Sequence, residues 1–273
     1  MNAELATVSP SDLVLCSVDA RGVGRISINR PGVHNAWNPE VVVALSAAFR
    51  TFSARSDIRV IVLTGEGRSF SAGGDLRWMR GILDLSSEQR RQDAVQIGEL
   101  LAAIDSCPKP VIARVNGPAI GGGFGLVCAC DTAISSDKAV YGLSEVRLGI
   151  APAMISPFVV RRLGEARARA YFLVGHDPMT ATDALAVGLV HRVVAHEDID
   201  AAVEREIRAA LQAAPGAIAV AKQLFQRAST PALTDAIEEA ADALARVWEG
   251  KEAREGLNAF LEKKLPSWAP PDA

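Results

Sequence analysis

The chain has 273 residues, 49% hydrophobic, 22% charged and 5% aromatic, and its 29 basic against 32 acidic side chains leave a net charge of −3. So apolar and so weakly charged a chain is neither disordered nor collagen-like, and its slight acidity argues against nucleic acid or a membrane surface as partner, since both need a basic face. At roughly 150 residues per domain the length allows one domain or two. Met1 to Leu15 lacks the basic start and apolar run of a signal peptide, and no stretch approaches the ~20 apolar residues of a membrane span. Four cysteines are too few for a disulfide scaffold, and Cys128 with Cys130 lacks a zinc-type partner pair. The expectation is a soluble cytoplasmic protein with reduced thiols and no metal.

In chain order, Leu13 to Val18 and Val23 to Asn29 flank a turn at Ala20 to Gly22 and predict a hairpin. Asn38 then caps a helix with Pro39 at its first position, and Val41, Ala44, Leu45, Ala48, Phe49 and Phe52 form its apolar stripe. Val60 to Leu63 is a short buried strand, followed by the Gly/Ser-rich loop Gly65 to Gly74 and a helix opening near Asp75. Ser86 and Gln89 make a capping box for a helix running towards Asp105. Val111 to Val115 is a second buried strand, and a second Gly-rich loop, Asn116 to Gly123, leads into another helix. Ala133 to Ser135 and Val140 to Tyr141 are further short strands.

Beyond Ser156 the pattern is helical: Ser156 to Leu163, Glu165 to Val174, a short helix capped by Thr180 and Asp183 and ended by Gly188, then Glu197 to Ala213, Pro215 to Gln226, Pro231 to Trp248 and Arg254 to Lys264. Mixed strands and helices followed by helices alone predict an α/β core, residues 1–195, carrying a C-terminal helical module, residues 196–273.

The two Gly-rich loops echo each other. Val60-Ile-Val-Leu-Thr-Gly65 leads into Ser71-Ala-Gly-Gly-Asp75, and Val111-Ile-Ala-Arg-Val-Asn-Gly117 leads into Ile120-Gly-Gly-Gly123. Each unit is a buried strand, a glycine turn and a helix start, where unpaired N–H groups favour negative charge. Two such turns on neighbouring strands can aim two N–H donors at one oxygen, the construction of an oxyanion hole. They can equally be ordinary tight turns. Neither loop has the G-x-G-x-x-G or G-K-[ST] pattern, and no G-x-S-x-G elbow or second zincin histidine occurs. An acid–base group is offered by Glu145, in the largely apolar run Tyr141-Gly-Leu-Ser-Glu-Val-Arg-Leu-Gly-Ile150, where a carboxyl has a raised pKa. The alternative for it is an ion pair with Arg147 or another cation.

Phe70-Ser-Ala-Gly-Gly-Asp-Leu76, Asn116-Gly-Pro-Ala-Ile-Gly-Gly-Gly123 with Cys130-Asp131, and Tyr141-Gly-Leu-Ser-Glu145 with Leu148-Gly-Ile150 stand in one order. Together with Asn29-Arg-Pro31, Asn35-Ala36, Gly188-Leu-Val190 and Gly256 to Lys264, they resemble the crotonase, or enoyl-CoA hydratase/isomerase, superfamily over nearly the whole chain. The resemblance implies a crotonase-like spiral of ββα turns followed by a helical region that supports a homotrimer or hexamer. It implies an acyl-CoA thioester as substrate, with no cofactor beyond the coenzyme A that the substrate carries.

It further implies that the N–H groups of Ala72 and Gly122 form the oxyanion hole and that Glu145 is catalytic. Gly73, Gly74, Asp75 and Leu76 would line the thioester path, with a helix-capping role as the plainer one for Asp75. Trp78 and Met79 would border the acyl pocket or pack in the core, and Val33, Phe260 and Lys263 would meet the nucleotide end. Where the family's hydratases carry a first glutamate this chain has Gly125, which would leave room for a branched or polar acyl group. Ala151-Pro-Ala-Met-Ile-Ser-Pro157 replaces the glycine turn beyond the second. These features are similar to bacterial hydratases of branched or carboxylated enoyl-CoAs, of the methylglutaconyl-CoA and isohexenylglutaconyl-CoA type. A single glutamate also fits the Δ3,Δ2-enoyl-CoA isomerases, and a catalytically silent acyl-CoA-binding protein is a third possibility.

Overall fold

The computed structural model describes residues 6–7, 12–173, 177–229, 233–264 and 266. Strand β1 (Ala6–Thr7) pairs antiparallel with β2 (Val14–Val18), which forms the expected hairpin with β3 (Val23–Ile28), Val18 opposite Gly24. Helix α1 (Pro39–Ala54) crosses to β4 (Val60–Gly65), and α2 (Leu76–Ile82) and α3 (Ser87–Asp105) cross to β5 (Val111–Val115). Then follow β6 (Ala119–Ile120), α4 (Gly122–Ala129), β7 (Thr132–Ser136), β8 (Val140–Gly142), α5 (Ser156–Leu163), α6 (Glu165–Phe172), β9 (Met179–Thr180), α7 (Ala181–Ala186) and β10 (Arg192–Val194). Helices α8 (Ile199–Gln212), α9 (Pro215–Ser229), α10 (Leu233–Glu249) and α11 (Lys251–Leu261) complete the described chain. The expected ends at Val174 and Pro231 lie outside the described residues.

The main sheet has the order β1-β2-β3-β4-β5-β7-β10, and from β3 onward its neighbours run parallel. Parallel strands covered on both faces are apolar throughout, and every residue of β4 is buried. Ile61 and Leu63 face the larger core with Trp37, Phe49, Phe70 and Phe124, whereas Val60 and Val62 face Ile199, Ala202, Val203 and Ile207 of α8. The first helix beyond residue 195 is thus packed directly on the sheet.

A small second sheet, β6-β8-β9, positions the site. Its parallel β6–β8 pairing sets Ile120 beside Gly142 and allows the Gly121 N–H to donate to the Gly142 carbonyl at 2.9 Å. The two-residue strands β6 and β9 are too short to carry a periodic signal in sequence. The caps follow expectation: Asn38 accepts from Val41 N, and reciprocal capping boxes form at Ser86–Gln89 and Thr180–Asp183.

Candidate functional site

The two Gly-rich loops are joined by main-chain hydrogen bonds. Phe70 and Ser71 N–H donate to the Pro118 carbonyl at 3.1 and 3.0 Å, and Ile120 N–H donates to the Ser71 carbonyl at 2.9 Å. Two buried amides hold the first loop in shape. Asn35 donates to the Ser69 carbonyl at 2.7 Å, and Asn116 donates to the Gly65 and Gly67 carbonyls at 3.0 and 2.8 Å. Gly73 takes φ +81°, and a Cβ there would sit 2.7 Å from the Ile120 carbonyl oxygen and 3.1 Å from the Gly122 nitrogen. Only glycine lets the loops approach this closely.

The expected donor pair needs one correction. The Ala72 N–H is already given to the His34 carbonyl at 2.9 Å, and the Gly73 N–H to Ser71 Oγ at 3.2 Å. Gly74 is different. It bridges Trp37 in parallel register, and that ladder uses its neighbours: Trp37 N–H donates to Gly73 O and Asp75 N–H to Trp37 O, both at 2.6 Å. The Gly74 N–H therefore points away from this ladder and finds no partner among the described residues. The same holds for the Gly122 N–H, at the first position of α4, where N–H groups have no intrahelical acceptor. Gly74 and Gly122 line one cavity. The family motif shows which turn matters, but the donor within it is decided by the Trp37 ladder, which no local pattern announces.

Glu145 opens the 3-10 turn Glu145–Leu148, just beyond β8. Its Oε1 lies 3.1 Å from where a Cβ on Gly121 would be, so the acid stands against the second loop. Arg147 pairs instead with Asp177, at 3.8 Å, so the ion-pair alternative for Glu145 is not realised. Burial pushes the Glu145 carboxyl up to about 7, while the N–H groups of Glu145 and Ser144 draw it down. Its Oε2 and the Trp37 Nε1 are the two buried side-chain polar atoms without a partner among the described residues. Both residues line the cavity of Gly74 and Gly122.

That inner cavity, about 110 Å³, is walled mainly by Trp78, Met79, Ile82, Ile97, Met154 and Ile155, with Leu244 and Trp248 from α10. An outer cleft of about 460 Å³ shares Gly74, Met79 and Glu145 with it and adds Val33, Asp75, Leu76 and Phe260. The structure thus gathers Gly74, Asp75, Leu76, Trp78, Met79, Gly122, Glu145, Val33 and Phe260 around one connected space. Ala72 borders the outer cleft, its N–H turned elsewhere, and Gly73 shapes the wall from behind. Asp75 caps α2 by accepting from Arg77 N at 2.9 Å and pairs with Arg30 at 3.0 Å. Lys263 borders neither cavity.

Gly125 needs a second correction. It lines neither cavity, and a Cβ there would lie 2.4 Å from Ile155 Cγ2. Ile155 comes from the segment that replaces the family's glycine turn, so the room expected beside Gly125 is filled by an apolar side chain. Arg30 and Ile155 stand inside the segments Asn29-Arg-Pro31 and Ala151-Pro-Ala-Met-Ile-Ser-Pro157 without a role of their own, and Trp37, with Arg90 and Asp93 on the cavity wall, has no local signal in the sequence. The contacts of Arg30 with Asp75, Trp37 with Gly74 and Ile155 beside Gly125 cross segments far apart in the chain.

A profile of the family described as enoyl-CoA hydratase/isomerase matches residues 19–271. The chain is 37% identical over 213 residues to the enoyl-CoA hydratase ACTT6 of Alternaria alternata, covering 76% of this chain and 67% of that protein. A crystal structure of an enoyl-CoA hydratase from Mycobacterium avium subsp. paratuberculosis superposes with a TM-score of 0.83 at 26% identity, covering 96% of this chain and all (100%) of that one. Another, from Shewanella pealeana, gives a TM-score of 0.77 at 34% identity, covering 94% and 96% of the two chains.

Proposed function

The chain belongs to the enoyl-CoA hydratase/isomerase family, and from that premise we propose that it adds water reversibly to a 2-enoyl-CoA thioester. The observation that carries this reading is the convergence of two unpartnered N–H donors, Gly74 and Gly122, with the enclosed carboxyl of Glu145 on one cavity. The thioester carbonyl oxygen accepts from both N–H groups, which stabilise the negative charge that grows on it as the enolate forms. Glu145 exchanges the proton between water and the α-carbon, and its raised pKa suits transfer in both directions near neutrality. The apolar inner cavity holds the acyl chain, and the outer cleft takes the pantetheine arm. The sequence resemblance to hydratases of branched or carboxylated enoyl-CoAs extends this proposal to a branched acyl group. The helical region is assigned to assembly as a homotrimer or hexamer.

One observation favours a second reading, Δ3,Δ2-enoyl isomerisation. Ile155 fills the place beside Gly125, so Glu145 is left as the carboxyl bordering both the inner cavity and the outer cleft, and moving a proton between two carbons needs one base. Incubation with 2-enoyl- and 3-enoyl-CoA thioesters, read by mass spectrometry after chromatographic separation of the isomers, separates the two. Hydration adds the mass of water to a 2-enoyl substrate. Conversion of the 3-enoyl thioester at constant mass, with no hydrated product from either, would replace the first reading by the second.

A further inference from the structure

Besides Glu145, two charged side chains interrupt the largely apolar wall of the inner cavity: Arg90 and Asp93, one turn apart on α3. They do not pair with each other. Arg90 Nε and Nη2 donate to the Ile82 and Leu83 carbonyls at 3.1 and 3.0 Å, and no carboxylate is within ion-pair range of it among the described residues. Those two contacts use two of the five donors that a guanidinium carries. Burial holds the Asp93 carboxyl above its ordinary pKa, and the Trp78 indole beside it draws it part of the way back. Neither charged residue borders the outer cleft, and Gly74, Met79 and Glu145, which do, mark where the two spaces meet. The pair therefore faces the acyl chain, away from the pantetheine arm.

Charged groups on an acyl pocket are costly unless a ligand uses them, because each must be partly stripped of water. A plain hydrocarbon chain leaves both unanswered. A carboxylate answers Arg90 but faces the like charge of Asp93. A hydroxyl accepts from the first and donates to the second. Resting on the reading of this cavity as the acyl site, we infer that Arg90 and Asp93 are specificity residues that select acyl-CoA thioesters whose chain ends in a hydroxyl group.

The test is binding of saturated thioesters, which needs no turnover. Titration calorimetry is run on matched C5 to C8 acyl-CoAs ending in methyl, hydroxymethyl or carboxylate. The expected result is about tenfold tighter binding of the hydroxyl-ended member at the best chain length, the worth of one or two hydrogen bonds to charged groups. Asp93→Leu removes that preference, the hydroxyl-ended member losing its advantage while the methyl-ended member binds at least as tightly as before. Should Asp93→Leu fail to fold, Asp93→Asn keeps the shape and is expected to strengthen binding of the carboxylate-ended member, which a purely structural role would not do. Equal or tighter binding of the methyl-ended thioester by the wild type overturns the inference, and so does a wild-type preference for the carboxylate. A hydroxyl preference in a protein that hydrates no enoyl-CoA leaves the inference standing and removes the proposed reaction instead.

Discussion

The Glu145 carboxyl sits at about 7 against an ordinary 4.5, because its enclosure penalises the anion more than two backbone N–H groups favour it. In the dehydration direction the carboxylate must accept the α-proton, so kcat should rise with pH and level off above about 7. Glu145→Gln is expected to lose about 10²–10⁴-fold in turnover together with that inflection; a residual activity with the same profile would move the role to another group. Stability carries the opposite sign. A folded pKa above the unfolded value means that the native state binds the extra proton, so Glu145 costs nothing below pH 4.5 and its penalty grows as pH rises towards 7. Glu145→Gln should therefore unfold at higher denaturant than wild type at pH 8, by about 3 kcal/mol, with the gap closing by pH 4. Gly125 makes a second case at this scale. Gly125→Ala sets a methyl against Ile155 and should cost about 1–3 kcal/mol, and Ile155→Ala in the same chain should recover part of that loss in a double-mutant cycle.

The two Gly-rich loops work as one element, and Asn116 is the tie that can be cut with least change in shape. It is buried, and its amide satisfies the Gly65 and Gly67 carbonyls of the first loop from the start of the second. Asn116→Leu strands those carbonyls and should lower stability by about 1–3 kcal/mol, while kcat falls more than KM rises because the Gly74 and Gly122 donors lose their relative placement. A drop in stability with kcat unchanged would show that the loops keep their spacing without it. This element also shows what the sequence could and could not disclose. The buried strands, the glycine turns and the caps at Asn38, Ser86 and Thr180 are local patterns, and each formed where the pattern lies. Which glycine presents its N–H is set by Trp37, about forty residues upstream, through a single bridge. What fills the place beside Gly125 is set by Ile155, thirty residues on. A motif marks the turn; the partner across the fold decides what the turn offers.

At the scale of the whole molecule, helix α9 is turned inside out. Its Lys222 reaches inward to Asp131 at 2.7 Å and the Lys109 carbonyl at 3.1 Å, and Gln226 donates to the Asp105 carbonyl at 2.7 Å. Its large apolar side chains Val220, Leu224 and Phe225 are exposed, at 56%, 58% and 72%. An isolated protomer gains nothing from that arrangement, since a surface helix ordinarily buries its apolar stripe and wets its polar one. Three large apolar side chains outward on one helix, with Leu173 also 62% exposed, are the pattern of a surface covered by another copy. The assembly proposed for the helical region then has a physical seat: α9 is anchored to its own core by polar contacts and offers its apolar side to a neighbour. Sedimentation velocity at micromolar concentration should show a trimer or hexamer. Leu224→Glu, or Val220→Glu, should shift it towards monomer while circular dichroism stays unchanged, because each adds a charge to the contact without touching the inward face. Lys222→Ala should do the reverse, lowering the thermal midpoint without first releasing protomers, since it removes the inward lysine that ties α9 to the partly exposed Asp131 carboxyl and the Lys109 carbonyl. A wild-type protein that sediments as a monomer at every concentration would leave the outward face of α9 without its proposed partner.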